Sequence, residues 1–401
     1  MPSMVLAAAP STDVDVLDPS FWVDPDAMHA TFRRLRAQGP LARDEANSLW
    51  VVLGHPELVE VERRSDVFVS GQGYRSFWPE GEDNMISLDD PQHATQRKLV
   101  SRRFTPKAVR DLDGYLTALI GELVDGFAAA GSLEVVSQLA APLPARLTAH
   151  LLGFPEDRWH DIQTWSERLM RYDQAFADEA AQLGFIGAIG EFSEVLFSTA
   201  AARKAEPADD LVTIWANAEA QGCPYTAQML VNETGLVISG GAETTRTVIA
   251  RGLATFADHP DQWEAMASDP SLVPGAVEEL IRWVTPLNNF FRTAVPDTEV
   301  GGVPVQAGDR FMLAYPSANR DARVFADPDT FDIRRHPNPH VAFGFGTHFC
   351  LGASLARYEL SLLFAKLAAE ITDLQVTEPA DLEANIFVTA VRSLGMSFTR
   401  R

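Results

Sequence analysis

Cys350 and Cys223 are the only cysteines in 401 residues, and Cys350 has unusual neighbours. It sits in Phe343-Gly344-Phe345-Gly346-Thr347-His348-Phe349-Cys350-Leu351-Gly352, wrapped in glycines and aromatics. The apolar spacing that follows predicts a helix over 351–370. Its N-terminal dipole and free N–H groups would favour a thiolate at Cys350. Gly344, Gly346 and Gly352 remove side chains where backbone must pass close to a flat ligand. Phe343 and Phe349 can keep water from the sulfur. His348, two residues before it, can reach a ligand carboxylate.

Three other readings use the same residues. Gly344-x-Gly346 could begin a dinucleotide loop, but Phe349 occupies the third glycine position and no strand–turn–helix pattern precedes it. His336, His340, His348 and Cys350 could ligate zinc, although their spacing matches no common finger or ribbon. Cys350 could be a buried structural thiol, which leaves the glycines unexplained. A thiolate ligand to a haem iron, pushing electron density toward bound oxygen, uses all of these features.

A second constellation lies upstream. Val237-Ile238-Ser239-Gly240-Gly241-Ala242-Glu243-Thr244-Thr245 falls inside a helical pattern over 225–257. Two adjacent glycines in mid-helix cost about 1 kcal/mol each relative to alanine, so an offsetting use is expected. Small residues let a helix run against a cofactor face and leave room for a small ligand. Thr244, four residues after Gly240, can hydrogen-bond that carbonyl and open a notch. Glu243 beside it can relay protons. The competing reading is a close helix–helix crossing with Thr244 as a buried spacer.

Charged residues supply anchors for a carboxylate-bearing cofactor. His93 and Arg97 lie four apart on one helical face, Arg292 follows Phe290-Phe291, and His348 is a further donor. Arg97 also belongs to a basic face with Lys98, Arg102, Arg103, Lys107 and Arg110, conspicuous in a chain of net charge −22. Glu279 and Arg282 lie three apart on a predicted helix, which in isolation describes an ordinary surface ion pair.

The elements that must position these groups are mostly helical. Hydrophobic spacing predicts helices over 26–38, 106–131, 145–152, 156–171, 180–204, 225–257, 260–268, 273–284 and 351–370. Strands are predicted over 48–53, 298–300, 303–305 and 310–313, with further short strands to the end. Residues 67–92 form a long Gly-, Pro- and acid-rich loop carrying Tyr74, Phe77, Trp78, Met85 and Ile86. Residues 1–20 read as a loose arm, and a Pro/Asp/Arg-rich meander over 315–340 leads to Cys350. The expected architecture is mainly α with small β-sheets, one domain over 1–401. The acidic balance argues against a nucleic-acid binder. Two cysteines are too few for a disulfide framework, which points to a reducing cytoplasm. The N-terminus lacks a basic lead-in, and the apolar runs 228–242 and 360–371 are broken by Glu233 and Lys366, so no membrane span is expected.

The decapeptide 343–352 resembles the haem-thiolate ligand loop of the cytochrome P450 monooxygenases, matching at Phe343, Gly346, His348, Cys350 and Gly352. The family usually carries arginine where this chain has His348, histidine being a known variant. Three further motifs are similar and in the family's order. Gly240-Gly241, Glu243 and Thr244 resemble the acid–alcohol pair that protonates bound dioxygen, where the family more often has Ala-Gly and frequently aspartate. Glu279-x-x-Arg282 resembles a buried pair joined by an arginine of the meander, here Arg335 in Phe331-Asp332-Ile333-Arg334-Arg335. His93, Arg97, Arg292 and His348 match the family's contacts to the haem propionates. The resemblance implies the cytochrome P450 fold, a triangular helix-rich prism with a long oxygen-binding helix. It implies haem b on Cys350 and insertion of one atom of dioxygen as hydroxyl. Electrons would come from a separate ferredoxin and ferredoxin reductase, since Cys223 alone cannot hold a cluster, and the basic face would dock the acidic ferredoxin. A monomer is expected.

Candidate substrate-lining residues are Trp78, Met85, Ile86, Val237, Leu287, Asn288, Phe290 and Phe387. No charged substrate clamp is evident, and the mix implies a hydrophobic substrate. Residues 85–91, 278–284 and 338–343 are similar to the actinobacterial branch that hydroxylates cholesterol-type side chains. Fatty acids, terpenoids and polyketides stay open, as do a peroxide-driven haem enzyme and a non-catalytic haem sensor.

Overall fold

Apolar residues at helical spacing build most of this chain into helices, and a computed structural model shows how they assemble. It describes residues 10–77, 82–176, 178–218 and 225–401; Trp78, Cys223 and the first nine residues lie outside them. The helices before the longest one are α1 (Pro25–Arg36), α2 (His55–Arg63), α3 (Gln92–Val100), α4 (Pro106–Arg110), α5 (Asp113–Ala128), α6 (Pro142–Leu152), α7 (Trp159–Met170), α8 (Glu179–Ala205) and α9 (Leu211–Ala216). The longest, α10 (Ala227–Asp258), is followed by α11 (Pro260–Ser268), α12 (Val273–Val284), α13 (Tyr315–Ala318) and α14 (Ala353–Glu370). The strands are β1 (Leu41–Asp44), β2 (Leu49–Val52), β3 (Phe68–Val69), β4 (Ser132–Glu134), β5 (Asn289–Ala294), β6 (Thr298–Val300), β7 (Val303–Val305), β8 (Arg310–Ala314), β9 (Ile371–Leu382) and β10 (Val391–Arg400). They form a five-stranded sheet in the order β1-β2-β8-β5-β3, a three-stranded sheet β4-β10-β9 and the hairpin β6-β7.

Several elements differ from expectation for identifiable reasons. The helix expected over 106–131 is two helices. Thr105 caps α4 with Pro106 in its first turn, and the chain turns at Asp111 before α5 begins. Helix α6 starts three residues early because Pro142 and Pro144 fall in its first turn, where no N–H is needed. Strand β5, which carries Arg292, is buried at nearly every position and so shows no alternating pattern. The chain end forms two long antiparallel strands rather than short ones.

Helix α10 threads the core, and its glycines set how closely others approach. A Cβ on Gly252 would lie 3.1 Å from Phe364 of α14 and 3.3 Å from Leu280 of α12. A Cβ on Gly241 would lie 2.7 Å from Oγ1 of Thr148 on α6. A Cβ on Gly240 would meet open space. The two adjacent glycines therefore do different work: Gly241 permits a helix crossing, and Gly240 faces a cavity.

A charge cluster ties α12 to the meander. Glu279 accepts two hydrogen bonds from Arg282, at 2.7 and 2.8 Å, and both residues are fully buried. Arg335 donates to both Glu279 oxygens at 3.1 Å, and the Asn338 amide and Asp332 N–H also reach that carboxylate. The arginines spend their remaining donors on the meander carbonyls of Asn319, Ala326, Asp327, Pro328 and Thr330. The charged groups of the network are all bonded, so its value lies in fixing the loop path. Removing one partner strands a buried charge. Glu279→Ala is expected to cost about 3–5 kcal/mol in urea unfolding. Truncating Arg33, whose pair with Asp329 is solvent-exposed, should cost less than about 1 kcal/mol.

Candidate active site

The Cys350 loop is rigid by construction. The Cys350 N–H donates to Phe343 O at 2.8 Å, and the Gly344 N–H to Val341 O at 2.9 Å. Gly344 and Gly346 both adopt a φ of 68°, the left-handed region that favours glycine. A Cβ on Gly346 would sit 2.5 Å from the carbonyl oxygen of Glu62 at the end of α2. Helix α14 begins at Ala353, with Gly352 as its N-cap, two residues later than expected. The N–H groups of Gly352 and Ala353 are thereby the ones that reach the sulfur. Burial pushes the Cys350 thiol up, while those two N–H groups, Arg97 and Arg357 oppose the shift by favouring the anion.

Cys350 and its loop form one wall of a cavity, and α10 forms another. About 1740 Å³ there is free of protein atoms, including its opening to solvent. Gly240, Gly241 and Thr244 line it, and the Thr244 hydroxyl donates to Gly240 O at 2.8 Å. That is the bond anticipated from the four-residue spacing, made within an uninterrupted helix. Glu243 does not line this cavity. It points into a small crevice behind α10, buried and 2.9 Å from Arg246, whose other contacts are Glu167 and Val391 O. Burial raises its carboxyl to about 7, partly offset by Arg246.

The rim of hydrogen-bond donors comes from four residues on three elements. Arg97 of α3, Arg292 of β5 and His348 of the loop line the cavity. His93 lies behind His348, with ring centroids 4.4 Å apart. His93 Nδ1 pairs with Asp90 at 3.2 Å and His348 Nε2 with Ser70 at 3.2 Å. The other ring nitrogens, His93 Nε2 and His348 Nδ1, are buried without a partner. Burial and the surrounding cations push His348 down to about 2. Buried polar atoms are rarely left unsatisfied, and two carboxylates are what this donor set lacks. The residues therefore fit a flat ligand bearing two propionates.

Met85, Ile86, Val237, Leu287, Phe290 and Phe387 all line the same cavity. Asn288 does not. It is fully buried, and its amide is used up by the carbonyls of Asn385 and Ile386 and the Thr389 hydroxyl. Its neighbours point inward while it ties the 286–290 segment to the 385–389 turn.

Four charged residues of the site were not anticipated, three of them lining the cavity (Glu62, Arg75 and Glu359) and one, Glu233, bonded to its lining residue Met85. Glu62 accepts from the Tyr315 hydroxyl at 2.7 Å, lies 3.7 Å from Arg292 and is raised by burial to about 7. Glu233 interrupts an apolar run in the sequence. In the fold it is fully buried and accepts the Met85 N–H at 2.7 Å, tying the long loop to α10. Glu359 of α14 and Arg75 of the loop line the cavity directly. An isolated acid on an apolar helix face is the signal that would have found Glu233 and Glu359; nothing in the sequence marks Arg75.

The family model for cytochrome P450 matches residues 266–370. A steroid C26-monooxygenase of Mycolicibacterium smegmatis is 38% identical, over 96% of this chain and 96% of that protein. Linalool 8-monooxygenase of Pseudomonas putida is 31% identical over 92% of this chain and 95% of that one. A cytochrome P450 of Mycobacterium marinum solved with pseudoionone superposes with a TM-score of 0.90 at 31% identity, covering 98% of this chain and all of its own. The chain thus belongs to the cytochrome P450 family and is a haem-dependent monooxygenase.

Proposed function

We propose that this chain hydroxylates the side chain of a steroid, with Cys350 as the axial ligand of haem b and with Thr244 and Glu243 handling protons. The observation that carries the reading is a cavity walled by Cys350 on one side and by Gly240 and Thr244 on another, with His348 at its rim, His93 stacked behind it, and one ring nitrogen of each buried without a partner. Haem bound there supplies the activation of dioxygen, one oxygen atom entering a C–H bond and the other leaving as water with two electrons and two protons.

The chain's own residues do the rest. Cys350 offers sulfur held in place by its loop, its charge balanced by the N–H groups of Gly352 and Ala353. His93, Arg97, Arg292 and His348 receive the two propionates. Phe343 and Gly344 line the same wall, and Glu279, Arg282 and Arg335 hold the segment leading to it. Thr244 Oγ1, anchored on the Gly240 carbonyl, presents a hydroxyl at the cavity surface. Glu243 holds or releases a proton near neutral pH, and turning its side chain from Arg246 toward Thr244 would bring that proton to the cavity.

Bacterial members of the family take electrons from a ferredoxin and its reductase. The docking face in this reading is the exposed side of Lys98, Arg102, Lys107 and Arg110, near the exposed ring of Phe349. Arg103 is not free for that role, because Asp209 pairs with it. The reading also makes the protein a cytoplasmic monomer. Helix α8 is long and apolar enough to cross a membrane, with 28% of that stretch buried. It packs on α7, however, and its Glu191 is bonded to Trp165 and Arg168, which suits a scaffold helix.

A steroid is favoured by the activity of the 38% identical relative and by the apolar wall of Met85, Ile86, Val237, Leu287, Phe290 and Phe387. A cholestane-type ketone with its full side chain is expected to shift the haem to high spin and to be oxidised at the side-chain terminus, read by mass spectrometry. Tighter binding and turnover of a linear terpenoid would displace the steroid. Reduced protein under carbon monoxide should show a strongly red-shifted Soret band, and Cys350→Ala should abolish it; an unshifted band in folded, haem-loaded wild type would refute the ligand. Glu243→Gln is expected to slow turnover about a hundredfold. Glu243 as a proton donor loses its proton above about pH 7, so the wild-type rate should fall as pH rises through that value and the variant should lose this dependence. A profile identical in both would remove Glu243 from the role.

A further inference from the structure

Arg75 is a cation that the fold brings to a cavity otherwise walled by apolar side chains on this side. It is 8% exposed and lines the cavity. The scaffold fixes its backbone. Tyr74 O accepts from the Phe291 N–H of β5 at 2.8 Å, and the Arg75 and Ser76 carbonyls accept from Arg310 of β8 at 2.7 and 3.3 Å. The guanidinium lies 4.1 Å from the centre of the Phe387 ring and 5.3 Å from that of Tyr172. Nε is buried without a hydrogen-bond partner, and Nη1 makes only a long contact to Leu169 O at 3.5 Å.

A buried guanidinium is ordinarily paired. Asp173 and Glu82 act on Arg75 through space, but neither forms an ion pair with it. Asp173 is engaged by the Ser76 hydroxyl, and Glu82 by Tyr74 at 2.6 Å and Asn84 at 2.9 Å. The donors of Arg75 are therefore available to the cavity. Which acceptor suits them follows from the surrounding charge. A carboxylate brought to Arg75 would also meet the fields of Asp173 and Glu82, whereas a neutral oxygen accepts from the guanidinium without that repulsion. The aromatic rings around it suit an apolar body on the same molecule.

We propose that Arg75 is a specificity-determining residue that donates a hydrogen bond to a neutral oxygen, ketone or hydroxyl, on an otherwise apolar substrate. The inference rests on the monooxygenase reading above and deepens it, without depending on the steroid skeleton. None of the contacts of Arg75 is with the Cys350 loop or the Gly240–Thr244 turn. The oxygen it holds is thus separate from the carbon to be hydroxylated.

Spin-state titration of the haem-loaded protein with matched ligands tests this. The pairs are cholestan-3-one against cholestane and octadecan-2-one against octadecane, with octadecanoic acid as the anionic probe. Wild type is expected to bind at least one ketone about tenfold or more tighter than its hydrocarbon, the worth of a hydrogen bond to a charged group. Arg75→Met should erase that preference by weakening the ketone alone, and Arg75→Lys should restore part of it. A preference that survives Arg75→Met, no ketone preference in either pair, or tighter wild-type binding of the acid than of the ketone overturns the assignment. Should Arg75→Met fail to load haem, the wild-type comparisons and Arg75→Lys still decide. The carbon monoxide spectrum of each protein separates the two readings: its failure sinks the haem-thiolate assignment, whereas a normal band with no Arg75 dependence sinks only this one. Arg75-dependent binding confined to the linear ketone would reject the steroid and uphold Arg75.

Discussion

Holding a negative sulfur against an apolar wall is the constraint on which the rest of this structure depends. Burial by itself favours the neutral thiol. Only fixed dipoles and charges can oppose it, and they act only if the loop cannot relax away from them. Each part of the surroundings removes a route of relaxation. Gly346 lets the loop lie directly on the Glu62 carbonyl. The Val341 N–H donates to Asn319 at 2.8 Å, and Asn319 in turn accepts nothing loose, its amide bonding Thr285 at 2.8 Å. Behind these sits Glu279 with its two arginines, a buried ionic knot that costs desolvation and gives the meander one path.

The opposite wall answers to a different demand, since a helix must run close to a ligand without filling its space. Helix α10 meets it with adjacent glycines that face different ways, one toward Thr148 and one toward the cavity. The same helix collects buried polar ties from distant segments. Glu233 holds the Met85 N–H, while Arg246 joins Glu243, Glu167 of α7 and the start of β10. The apolar wall of the cavity thus combines loop residues, Met85, Ile86, Leu287 and Phe387, with Val237 of α10 and Phe290 of β5. Arg75 sits at its edge, set by β5 and β8 rather than by its own loop.

Much of the fold was legible because helical periodicity is a local signal. Helices α11 and α12 lie where spacing placed them, and α8 and α10 differ only at their ends. Strand β5 escaped because burial on both faces erases alternation. The split between α4 and α5 escaped because Asp111 interrupts a pattern that is apolar on both sides of it. At the site, residues named by a motif came together: Cys350, Thr244, Arg97, Arg292 and His348 share one cavity. Asn288 was misjudged because adjacent residues on an irregular segment face opposite ways; Glu243 faces a crevice other than the cavity lined by Thr244, because i and i+1 on a helix are separated by about a quarter turn.

The sequence by itself determined which chemistry the chain can perform. A cysteine among glycines before a helix, an acid and an alcohol after paired glycines, and four separated cationic or imidazole donors are statements about residue type and spacing. Tertiary structure alone decided which buried charges meet the cavity. Arg75 and Glu62 come from unrelated elements, and their environment is set by partners that are mostly remote in the chain. Desolvation and pairing are properties of that surrounding volume, and no local pattern records them.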